Sequence, residues 1–86
     1  MDKNETSTLA REVILEAIEY QIQHGDPPET KLAFDRLILD GFSSEDAMLM
    51  IGRVLAAEMF NILKKKEPYN PERYVQALNN LPEIPT

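Results

Sequence analysis

At 86 residues the chain is long enough for one domain and lies near the small end of what folds without help. It has no cysteine, which excludes disulfide staples and thiolate metal sites. A net charge of −6 opposes broad attraction to nucleic acid or anionic lipid, and no apolar run approaches the roughly 20 residues that span a bilayer.

The first residues, Met1-Asp2-Lys3-Asn4-Glu5-Thr6, lack a basic region followed by an apolar run, so no signal peptide is expected. A cytoplasmic protein with no membrane partner is the expectation. Residues 1–86 are predicted to form a single helical domain, with 1–6 as an N-terminal tail. Helix 1 is predicted from about Ser7 to His24, stopped by Gly25. Helix 2 is predicted from Pro27 to Asp40, with the Asp26 oxygen as N-cap, Pro27 at the first helical position and Gly41 as the stop. Helix 3 starts after Ser43 and runs to about Lys66, with Glu45 and Asp46 at its start and Lys64-Lys65-Lys66 at its end, as the helix dipole favours. Helix 4 spans Pro71 to Asn80 behind an Asn70 cap. Residues 82–86 form an extended C-terminal tail, because Pro82 and Pro85 prevent a regular helix. The fold class is therefore all-α: four helices with short connections, helix 3 longest and central.

Spacing at about 100° per residue assigns the faces. Helix 4 places Tyr74, Val75, Ala77, Leu78 and Leu81 on one side. Helix 2 buries Ala33, Phe34, Leu37 and Ile38, which leaves Leu32 and Leu39 aligned on its other side. Helix 1 carries Leu9, Val13, Ala17 and Tyr20 as one stripe, and Ile14, Leu15, Ile18 and Ile22 widen it. In helix 3, Met48, Ile51, Leu55, Met59, Ile62 and Leu63 are widened by Leu49, Ala56 and Phe60. Apolar arcs this wide need more than one neighbour each. The expectation is a homodimer, with Ile18, Ile22, Leu32, Leu39, Leu49 and Phe60 as the candidate interaction surface.

Chemistry is sparse. Glu12, Glu16 and Glu19 share a helix 1 face and offer carboxylates of the kind that hold Mg²⁺ in all-α nucleotide hydrolases. Helix 3 adds only Glu58 in its middle, and a solvated acidic face is the simpler reading. His24 is the one histidine, in a last turn where a cation suits the dipole. No metal or cofactor site is expected. Glu58 falls at the apolar rim of helix 3, where it is expected to pair with a base such as Arg36 or to hydrogen-bond a tyrosine.

The stretch Leu37 to Ala47 has the order helix, glycine turn, capping serine, helix seen in helix-turn-helix DNA readers. Glu45 and Asp46 would meet phosphates there, which makes a DNA regulator the weaker alternative. Its Leu-x-x-x-Gly-Phe turn also resembles that of ubiquitin-associated domains, three-helix units about half this length. Taken together, Pro27-Pro28-Glu29-Thr30, Asp35-Arg36-Leu37, Gly41-Phe42-Ser43, Ala47, Pro68-Tyr69-Asn70, Arg73-Tyr74, Leu78 and Leu81-Pro82 resemble a small bacterial all-helical family with no known activity. That resemblance implies a shared fold from about residue 10 onward, and no site residues. The expected function is a non-catalytic protein–protein interaction or structural module that also meets an unidentified protein partner. The principal alternative is the metal-dependent nucleotide hydrolase.

Overall fold

Four local devices set the helix boundaries. In the computed structural model, which describes residues 3–83 and side chains from residue 10 onward, α1 spans Lys3–His24, α2 Pro28–Leu39, α3 Ser44–Lys64 and α4 Pro71–Asn80. No strand occurs among the described residues. The Ser43 hydroxyl accepts a hydrogen bond from the Asp46 amide at 3.0 Å, and Asn70 Oδ1 accepts from the Arg73 amide at 3.1 Å. Both caps satisfy an amide that the first helical turn leaves unpaired.

The stops are equally local. Gly41, at φ +101°, reverses the chain so that its amide donates to Ile38 and the Phe42 amide to Leu37. This is a complete Schellman motif, and Phe42 packs back on the core as its apolar contact. Gly25, at φ +62°, ends α1 with the Asp26 amide donating to the Gln21 carbonyl.

Three expectations need correction. Pro27, not Asp26, is the N-cap of α2, and no side chain caps that helix. A residue that precedes proline is pushed to extended backbone, so Pro28 holds Pro27 at φ −75°, ψ 152° and the helix starts one residue later. Helix α1 begins at Lys3, ahead of the expected start near Ser7, because Lys3-Asn4-Glu5-Thr6 contains no proline or glycine to stop it, and residues 1–2 of the expected N-terminal tail lie outside the described residues. That turn gives α1 22 residues beside the 21 of α3. At the far end α3 stops at Lys64, with Lys66 in the left-handed region at φ +55°. Of the expected C-terminal tail, residues 84–86 lie outside the described residues.

Short connections make successive helices neighbours in space. The helices α2 and α3 each pack on all the others, while α1 and α4 meet through the Tyr74 hydroxyl on Gln21. The core draws Ile18 from α1, Ala33 and Leu37 from α2, and Ala47, Ile51 and Val54 from α3. Tyr74 and Leu78 complete it from α4, with Leu81 just beyond. Gly52 faces α1, where a Cβ would lie at contact distance, 3.4 Å from Ile14 Cγ2. Ile38, expected on the core face of α2, is 38 % exposed.

Candidate interaction face

Two polar clusters tie the helices together, and both consume their own hydrogen-bonding capacity. Gln21 Oε1 accepts from Thr30 Oγ1 and from the Tyr74 hydroxyl, each at 2.8 Å. Thr30 and Tyr74 are buried, so one amide oxygen joins α1, α2 and α4 through the interior. Burial raises the Tyr74 hydroxyl above its ordinary pKa, against the opposing effect of its hydrogen bonds to Thr30 and Gln21.

The second cluster centres on Glu58, which is buried at the α3–α4 corner. Arg73 clamps it through two bonds, Nε to Oε1 at 2.8 Å and Nη2 to Oε2 at 2.9 Å, and the Asn70 amide donates to Oε2 at 3.1 Å. The hydrogen bonds from Arg73 dominate and hold the Glu58 carboxyl below its ordinary pKa, although burial alone would raise it. Arg73 also donates to Glu67 at 2.7 Å, and its own pKa rises chiefly through the bond to Glu58. The expected Arg36 partner is elsewhere. Arg36 Nη2 donates to the carbonyls of Leu78 and Leu81, at 3.2 and 2.8 Å, and so closes the end of α4. That helix has no basic residue in its own last turn. Nearby, burial and then the charges of Glu58, Asp26 and Glu29 raise the Tyr69 hydroxyl.

No buried side-chain nitrogen or oxygen among the described residues lacks a hydrogen-bond partner. Among the described residues, no group of three or more His, Cys, Asp or Glu side chains is placed to hold a metal ion. Glu12, Glu16 and Glu19 are exposed on the outer side of α1. His24 stacks on Tyr20 with centroids 3.9 Å apart, and its Nδ1 lies 2.9 Å from the Tyr20 carbonyl.

One surface concavity is a groove between α1 and α3. It encloses about 480 Å³, with Ile14 and Leu15 on one wall and Leu49, Gly52 and Ala56 on the other. Arg11 and Arg53 border it, one from each helix. Residues three and four apart share a helix face, so the α3 wall continues through Ala56 to Phe60 and Leu63. These two are 54 % and 69 % exposed.

The six residues expected to form an interaction surface separate on this fold. Ile18 is fully buried in the core and presents nothing to a partner, because α1 turns Ile14, Ile18 and Gln21 inward together. Ile22 is half-buried against the core, and Leu49 is half-buried in the groove wall. Phe60 is exposed at the groove's end. Leu32 and Leu39, 65 % and 87 % exposed, lie on α2. Gln21 and the cations Arg11 and Arg53 were not expected to matter. The i, i+4 spacing of Arg11, Leu15 and Glu19 was the available signal for the first cation.

No family model, curated protein or solved structure matches this chain. Among the described residues, no helix is long and apolar enough to cross a membrane.

Proposed function

We propose that the protein is a non-catalytic helical interaction module of the cytoplasm that associates with itself through the outer face of α1 and α3. The apolar groove carries this reading, since it runs on into the exposed Phe60 and Leu63. Both wide helices spend one side on the core and keep apolar surface outside it. Helix against helix is a recognition mode that needs apolar ridges and no special motif. A standard interface takes about 800 Å² from each partner. That is about an eighth of the 6075 Å² that one copy exposes.

Sedimentation equilibrium between about 1 and 100 μM tests this, within the micromolar range where modest apolar interfaces operate. A reversible monomer–dimer equilibrium is the expected result, and a monomer throughout removes self-association. Hydrolysis of nucleoside triphosphates by the pure protein with Mg²⁺, lost in Glu16→Gln, would overturn the non-catalytic reading.

A further inference from the structure

We infer that the partner seated on this face is a second copy whose α1 lies antiparallel across α1 of the first, with Arg11 of each copy paired to Glu19 of the other. The inference rests on the self-association proposed above and assigns its register. Arg11, Leu15 and Glu19 stand at i, i+4 and i+8, so they form one stripe along α1. Leu15 is half-buried in the groove wall, while Arg11 and Glu19 are exposed. The stripe is symmetric in position and opposite in charge about Leu15.

A two-fold axis through Leu15 therefore sets each Arg11 opposite a Glu19, and Leu15 against Leu15 at the centre. An isologous interface needs that self-complementarity. Parallel α1 helices in the same register would align Arg11 with Arg11 and Glu19 with Glu19, which like-charge repulsion disfavours. Global charge sharpens the choice. Two copies of net charge −6 repel each other, so a stable contact has to bring cations to the seam. Arg11 lies on this face, and Arg53 adds a second cation from the α3 wall. Lys31 is engaged with Asp35 on α2, Arg36 and Arg73 are committed inside the fold, and the exposed Lys64, Lys65 and Lys66 stand beyond Leu63 at the end of α3, outside the groove lining. The acidic edge that meets these cations is Glu19, with Glu16 and Glu12 beside it on the same helix.

Charge exchange between copies tests the register. Arg11→Glu and Glu19→Arg alter exposed positions, and far-UV circular dichroism checks that each variant stays helical. In Arg11→Glu two acids face each other at both symmetric contacts, and in Glu19→Arg two bases do. Each variant alone should dimerise at least about tenfold more weakly than the native chain, the equivalent of 1.4 kcal/mol. An equimolar mixture should recover native affinity as a heterodimer, because an acid from one variant then meets a base from the other at both contacts. The double variant R11E/E19R should recover it as a homodimer. A native dimer whose affinity is unchanged in both single variants overturns the register and leaves self-association standing on another face, such as Leu32 and Leu39. Single variants that weaken with no recovery on mixing overturn it as well. A native chain that is monomeric removes the proposed self-association and this inference together.

Discussion

Gln21 shows how much one side chain can decide in a core this small. Its Oε1 is the acceptor for two buried hydroxyls, those of Thr30 and Tyr74. Removing a donor leaves the oxygen with its other partner, whereas removing the acceptor strands both donors in the interior. A stranded buried hydroxyl costs about 1–3 kcal/mol, against about 1 kcal/mol for a lost hydrogen bond whose partners find water or another group. Gln21→Leu, close in size, should therefore destabilise by about 2–4 kcal/mol, and Tyr74→Phe by about 1 kcal/mol. Urea unfolding of the two variants provides the comparison, and equal losses would show that the hydroxyls find other partners. Nothing in the sequence singles out Gln21. Its partners are 9 and 53 residues away, and local spacing cannot reveal them.

The helical elements were legible because their punctuation is local. Ser43 and Asn70 each cap an amide three residues on, and Gly25 and Gly41 each turn the chain through a left-handed residue. Asp26 misled because Pro27 and Pro28 both fit the first helical position, and the restriction that Pro28 places on Pro27 selects the later one. Replacing a cap residue that accepts an amide with alanine costs about 1 kcal/mol. Ser43→Ala and Asn70→Ala should each lose about that much, and Asp26→Ala should change stability by only a few tenths. Thermal denaturation of the three variants side by side decides the matter. A loss at Asp26 equal to that at Ser43 would restore the aspartate as a cap. The closure of α4 by Arg36 was not legible for the same reason as Gln21, since the guanidinium comes from a helix 42 and 45 residues earlier in the chain. The interaction face was half legible. The excess apolar width of helices 1 and 3 was visible in their periodicity. Which part of that width turns inward depended on packing, and it moved Ile18 into the core while leaving Phe60 outside.

At the scale of the whole molecule, charge acts in two directions. The net −6 disfavours the compact state through self-repulsion, and acid relieves that term as carboxylates protonate. Glu58 works the other way. It is buried under Arg73 and the Asn70 amide, and those bonds favour its ionised form. Its pKa in the folded protein is therefore below the ordinary 4.5 that the unfolded chain would show. Below 4.5 the unfolded chain binds a proton that the folded state refuses, so stability falls with falling pH. The contribution is fully present above 4.5 and disappears as the pH passes through the lower folded value. Glu58→Gln has no charge to lose and keeps the side chain's size. It should be less stable than the native protein at neutral pH, and the two stability curves should converge in acid. Urea midpoints measured from about pH 7 down to about pH 3 test this. Curves that stay parallel would show that the Glu58–Arg73 clamp carries no proton-linked stability, and that acid sensitivity arises among the surface carboxylates. The same titration leaves the native fold's corner at Asn70 exposed to a second check, because loss of the Glu58 charge also weakens the bond that holds the α4 cap in place. Amide exchange at Asn70 and Arg73 should accelerate in Glu58→Gln at neutral pH, with the α1 amides unaffected.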